Sequence, residues 1–231
     1  MIRSVYSLLA VLCLTMGSSC IAFSKETLKV YTYHNKPPYF DSQHPQRAGI
    51  YQNLLDQLNS NQQQFQLELR YLPRKRLNYA LEKNKLDGII IGVNPIWFQD
   101  TKREKYLWSV PFMSDRDIFV TSGKLEKNSA PDFSGLRFSL TRGNYYKGIS
   151  EEVNAGRIEL IESQSALQSI QMLSHERADI SILSQATADY YQVEKLGLDI
   201  LKEPHARFER HILFPKNFQH ALKVIDPLLK P

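Results

Sequence analysis

The chain has 231 residues, 42% hydrophobic and 23% charged, with a formal net charge of +5 at neutral pH. That length buries a sizeable core, as one domain or as two small ones. The basic excess is mild and opposite charges are interspersed, as in Lys102-Arg103-Glu104-Lys105, while the run Arg74-Lys75-Arg76 is short. This pattern speaks for a solvated cationic surface and against nucleic-acid binding.

Residues 1–24 read as a secretory signal peptide. Arg3 supplies the basic start, residues 5–16 the apolar stretch, and Gly17, Ser18 and Ser19 the small-residue exit, with Ala22 and Ser24 just beyond. The apolar stretch is shorter than the ~20 residues that a membrane-spanning helix needs. Cleavage after Ala22 and cleavage after Ser24 both fit. Both cysteines, Cys13 and Cys20, fall in this segment, so the exported chain holds together without disulfides. Lipidation at Cys20 is an alternative, but Gly17 stands where lipoprotein signals usually carry Leu. The expected location is the periplasm.

Residues 28–33 then read as a strand, followed by a polar, proline-containing loop over 34–49. Ile50, Leu54, Leu55 and Leu58 recur at helical spacing, and Phe65, Leu67, Leu69 and Tyr71 alternate with polar residues as a strand does. A second helix is predicted over 74–83 and a buried strand over 87–93. The unit is strand, helix, strand, helix, strand, with crossovers long enough for a parallel sheet. It appears again as a strand at 136–140, a helix near 145–154, a strand at 158–161, a helix marked by Ala166, Ile170 and Leu173, and a strand at 178–183. Ser165 and Gln168 are spaced like a capping box at the start of that second helix. Strands at 117–123 and 208–214 connect the halves. Two strands crossing between two α/β lobes make a hinge, and ligands favour the cleft between lobes.

This layout resembles the family 3 periplasmic solute-binding proteins, the type II fold of amino-acid receptors of ABC transporters. The resemblance rests on Pro37-Pro38-Tyr39-Phe40, Ala48-Gly49-Ile50-Tyr51, the segment 72–77, Asp87-Gly88-Ile89-Ile90-Ile91-Gly92, Trp108-Ser109-Val110-Pro111-Phe112, and in the second half residues 135–138 and Arg142-Gly143-Asn144. It implies two lobes, each a mainly parallel sheet flanked by helices: lobe one from 25–118 and 208–231, lobe two from 119–207, with hinge crossings near 117–123 and 203–209. It also implies a monomeric receptor that closes over a small polar or anionic solute for a membrane permease or a sensor, with no cofactor. The family's ligand chemistry is altered here. Arg103 fills the place of the carboxylate-binding arginine only loosely, and Ser184 stands where an aspartate would meet a ligand ammonium, which makes an ordinary α-amino acid a doubtful ligand. The family pattern further implies a final helix beyond the point where this chain stops.

The remaining candidate ligand residues follow from position. Tyr39, Asn94 and Trp97 lie just past the carboxyl ends of strands, the edge that faces the crevice in an open α/β sheet. Arg142, Gly143 and Asn144 are read as closing a strand and opening a helix, a start suited to an anion. Arg76 lies in the first turns of a helix, and Ser184 is either a ligand hydroxyl or an N-cap. The six histidines show no metal-ligand spacing, so no metal is expected. Catalysis is the competing class, since some relatives of this fold are dehydratases. Glu162 is then the nearest acid or base, without a nucleophile or phosphate motif beside it. An orphan sensor module is the third reading.

Overall fold

The computed structural model describes residues 25–42, 44, 47, 49–123 and 133–229. The signal segment therefore lies outside the described residues. Strand β1 (Glu26–Thr32), helix α1 (Ile50–Asn61), β2 (Phe65–Tyr71), α2 (Arg74–Glu82) and β3 (Gly88–Val93) form the first unit, with β1 parallel to both β2 and β3. In α1 the buried positions are Tyr51, Leu55 and Leu58, one helical stripe. Every residue of β3 is buried, as expected for a parallel strand covered on both faces. One face carries α1, and the other carries Leu77 and Leu81 of α2 with Phe98.

The second unit repeats this plan with β6 (Arg137–Thr141), α3 (Ile149–Asn154), β7 (Glu159–Ser163), α4 (Ala166–Ser174) and β8 (Ile180–Ser184). Again the first strand is central, parallel to both of the others. The Ser165 hydroxyl caps α4 by accepting from the Gln168 N–H at 3.2 Å. Two long strands join the units: β5 (Met113–Thr121) and β10 (Ala206–Phe214) run antiparallel to each other, β5 pairing onward with β8 and β10 with β3. The short strands β4 (Leu107–Trp108) and β9 (Asp199–Ile200) flank them. The strand path is β2-β1-β3-β10-β5-β8-β6-β7, so each lobe contributes a three-stranded parallel sheet to the sides of one crossing ribbon. Helix α5 (Gln185–Tyr191) follows β8.

Three expectations change. The crossing strand begins at Met113 rather than 117, because residues 113–117 pair with β10 although their side chains alternate only between half-buried and exposed. Helix α3 begins at Ile149 rather than near 145. Gly143 and Gly148 both take positive φ (+82° and +84°), which keeps residues 142–148 in turns, and the Glu151 carboxylate accepts from the Gly148 N–H at 2.6 Å. Arg142-Gly143-Asn144 therefore does not open a helix. Finally, a helix does follow β10: α6 (Gln219–Ile225) buries Ala221 and Ile225 in the core of lobe one.

Gly92 is where this frame is least tolerant. It has φ +82° beside the register shift between β3 and β10, and a Cβ there would run into the Tyr51 ring and hydroxyl. Gly92→Ala is expected to cost about 2–3 kcal/mol, seen as a lower urea midpoint at unchanged m-value.

Candidate functional site

The crossing ribbon has two faces, and alternation assigns its side chains. Asp115 pairs across the ribbon with Phe208, Asp117 with Ala206, and Met113 with Arg210, so these share one face. Ser114, Arg116, Arg207 and Glu209 share the other, and all four are exposed. Together with Met113, Asp115 and Phe208 of the first face they line a groove of about 640 Å³ between the ribbon and α5.

The inner face is organised around Arg210, which is 1% exposed. Its Nη2 and Nε donate to Asp115 Oδ2 at 2.7 and 3.0 Å, and Nη1 donates to the Gly92 carbonyl at 2.9 Å. The Tyr39 hydroxyl also donates to Asp115 Oδ2. Three rings surround the guanidinium, with centroids 4.4 Å (Tyr39), 5.1 Å (Phe208) and 5.6 Å (Trp97) away, an arrangement that stabilises a desolvated cation. Burial alone would weaken that charge; Tyr51, Tyr39 and Asp115 outweigh it and hold the guanidinium above its usual pKa. Burial, and next Arg210, push His34 well below its usual pKa. His34 is therefore neutral, and its Nε2 lies 3.5 Å from Arg210 Nη1 as an acceptor.

Two more charges face the space over the ribbon. Lys36 comes from the loop after β1, and Asp117 from β5; both are half-buried. Burial lowers the Lys36 ammonium, and Asp117 works against that; burial raises the Asp117 carboxyl, and Lys36 and Arg210 work against that. Arg74 of α2 lies 4.6 Å from the Tyr33 ring and 4.0 Å from the Phe98 ring, and donates to the Trp97 carbonyl at 2.5 Å. Lobe two brings Tyr146 and His205 to the same region, where both feel the charge of Asp117 or act on it. Direct bonds span the lobes: the Thr187 hydroxyl of α5 donates to the Pro37 carbonyl at 2.9 Å, and Arg116 Nε donates to Gln185 Oε1 at 3.0 Å.

The sequence candidates divide. Tyr39, Trp97 and Asn94 gather at the ribbon: Tyr39 is fully buried under Arg210, Trp97 is half-buried 4.9 Å from the Phe208 ring, and Asn94 caps the turn Pro95–Phe98 while donating to the Glu209 carbonyl at 3.0 Å. Ser184 is in register with Asp117, and its hydroxyl donates to Thr187 Oγ1 at 2.8 Å. Arg76 and Arg103 are exposed. Arg142 is exposed as well, with its Nε 2.9 Å from Glu162, and Asn144 donates to the Tyr146 hydroxyl at 3.1 Å. Sequence reasoning missed Lys36, Arg74, Asp115, Asp117, His205 and Arg210. The local signal for the ribbon residues is a run of charge, Asp115-Arg116-Asp117 and Glu209-Arg210, which reads as a solvated edge.

Beside this region Asp100 ties the loop before β4. Its two oxygens accept from the backbone N–H groups of Glu104 (2.8 Å), Lys105 (2.9 Å) and Tyr106 (3.1 Å) and from the Trp108 indole (2.8 Å). Burial would raise this carboxyl, but the four donors together hold it below the usual carboxylate range. The folded state thus binds its proton less readily than the unfolded chain. The stabilisation is fully present at neutral pH and is lost as pH falls through the ordinary carboxylate range to the lower folded pKa. Asp100→Ala is expected to cost about 2–3 kcal/mol at pH 7 and much less near pH 3, measured by urea melts at both pH values.

No protein-family model matches the sequence, and no curated protein sequence matches it. Solved structures do match. Holo ArgBP from T. maritima shares 18% identity with a TM-score of 0.65, covering 88% of this chain and 88% of that one. A structure described under glutathione import via GshT and the cystine ABC importer TcyBC of Streptococcus mutans has a TM-score of 0.70 at 14% identity, covering 89% and 88%. The GluR0 ligand-binding core from Nostoc punctiforme in complex with L-glutamate has a TM-score of 0.67 at 18% identity, covering 87% and 91%. At these identities the likeness is one of fold, and the chain has the two-lobed type II solute-binding architecture.

Proposed function

We propose that this protein is an extracytoplasmic receptor that closes over a small polar solute between its lobes and presents it to a membrane permease or a sensor. The observation that carries this reading is the inner face of the crossing ribbon. It joins residues of both lobes, and it sets the charges of Lys36 and Asp117 against aromatic walls instead of filling the space with apolar core. Half-buried charges of that kind are costly unless something polar meets them. The bound solutes and importers named for the matched structures support the same reading.

On this proposal the lobes are residues 25–118 with 208–231 and residues 119–207, moving as bodies about the crossings near 117–123 and 203–209. Residues 1–24 direct export, and the receptor acts as a monomer. Binding without turnover is favoured over catalysis, since Glu162, the acid or base that a dehydratase reading would use, is engaged by Arg142 on the surface. The test is a thermal-shift screen of amino acids, small carboxylates and peptides, followed by X-ray scattering on any hit. A solute at a hundred times its Kd should add about 2.7 kcal/mol of stability and reduce the radius of gyration. Stabilisation without compaction, or no stabilising solute, overturns the proposal.

A further inference from the structure

Arg116 and Arg207 stand directly opposite each other across the crossing ribbon. Cβ atoms in such pairs lie about 5 Å apart, and like charges set this way destabilise a sheet. Alternation carries both side chains to the outer face, away from Asp115, Asp117 and Arg210. Both are exposed.

No carboxylate among the described residues offsets the pair. Arg116 Nε donates to Gln185 Oε1 at 3.0 Å, and beyond that bond neither guanidinium has a hydrogen bond or ion pair among the described residues. The acids beside them are engaged elsewhere. Gln185 Nε2 donates to Asp189 Oδ1 at 2.6 Å, Glu209 Oε2 lies 3.8 Å from His211 Nε2, and Asp115 is held by Arg210. All of these but His211 and Arg210 line the groove of about 640 Å³ between the ribbon and α5. Met113, Ala186 and Phe208, each half-buried, give that groove an apolar wall. A volume of this size takes a small molecule.

We propose that this groove is a second binding site, for a small molecule that carries a phosphoryl group on an apolar body. The phosphoryl group sits between Arg116 and Arg207, and the apolar body lies against Met113, Ala186 and Phe208. Guanidinium forks match phosphate oxygens in pairs. A dianion between the two arginines turns the repulsion across the ribbon into attraction on both sides. Neither arginine belongs to the inner face over which the solute is proposed to close, so the site stands whether or not the receptor reading does.

The test is calorimetry at physiological ionic strength with phenyl phosphate, inorganic phosphate and phenol. Wild-type protein should bind phenyl phosphate about tenfold or more tighter than either of the other two. Arg116→Gln and Arg207→Gln should each weaken phenyl phosphate about 10- to 100-fold. Arg70→Gln removes an equal charge from the far edge strand β2 and should leave binding within about twofold. Urea melts give a second readout. Without the anion, Arg207→Gln should melt at or above the wild-type midpoint, because one of two opposed charges is gone; with phenyl phosphate the order reverses. Phenol binding as tightly as phenyl phosphate overturns the proposal. So does an equal loss in Arg70→Gln and Arg207→Gln, which would mean diffuse attraction to a basic protein. No binding of phenyl phosphate at millimolar concentration overturns it too, and capture by anionic phospholipid vesicles alone would give the arginines to a membrane surface instead. The comparison of probes on wild-type protein needs no variant to fold.

Discussion

Arg210→Met is expected to cost about 3–5 kcal/mol of folding stability. The reason is what it leaves behind. Arg210 and Asp115 each have only 2% of their side-chain surface exposed, so the variant strands a carboxylate in a region from which water is excluded. Methionine preserves much of the alkyl volume against Tyr39, Phe208 and Trp97, which isolates the charge from the packing. The double variant Arg210→Met/Asp115→Leu removes both charges and should recover most of the loss, because a buried ion pair contributes little net against an apolar pair of similar size. Urea melts of the two single variants and the double variant decide this. If the double variant is as unstable as Arg210→Met, the cost lies in the lost contacts to Gly92 and the rings, not in the orphaned charge.

The ion pair also shows where the sequence was legible and where it was not. The two strand-helix units could be read because their strands are apolar runs or clean alternations: Gly88–Val93 is buried throughout, and Phe65 and Leu67 point inward with Gln66 out. The crossing ribbon offered no such pattern. One of its faces carries Asp115, Asp117 and Arg210 and the other is exposed, so neither face is apolar over residues 114–117 and 206–209, and strand β5 begins four residues before the apolar pattern does. Arg210 finds its partner 95 residues away in sequence, and nothing local separates it from a surface arginine. Arg142-Gly143-Asn144 failed differently. Gly143 and Gly148 look equally able to begin a helix or to hold a turn, and their positive φ values chose the turn. Tyr39, Asn94 and Trp97, read from strand ends, do come together beside the crossing ribbon, because that reading depends on topology and not on the identity of the ribbon residues.

Tyr39 carries the second large prediction. Its ring is fully buried, lies 4.4 Å from the Arg210 guanidinium and 5.4 Å from the Tyr51 ring, and its hydroxyl bonds Asp115. Burial is the main cause that raises its phenol pKa, so it stays a donor across the whole working pH range. Tyr39→Ala removes a large buried ring and is expected to cost about 3–5 kcal/mol. Tyr39→Phe keeps the ring, removes one donor from a carboxylate that retains Arg210, and should cost about 1–2 kcal/mol. Since hydroxyl and guanidinium act on the same oxygen, a double-mutant cycle between Tyr39→Phe and Asp115→Asn should return a coupling of about 1–2 kcal/mol. The cycle also separates two roles for this ring. As part of the frame that joins lobe one to the crossing ribbon, Tyr39 shows its loss in the urea midpoint. A ring whose work was to stack on solute would show it in Kd, with Tyr39→Leu nearly as stable as the parent and no coupling to Asp115.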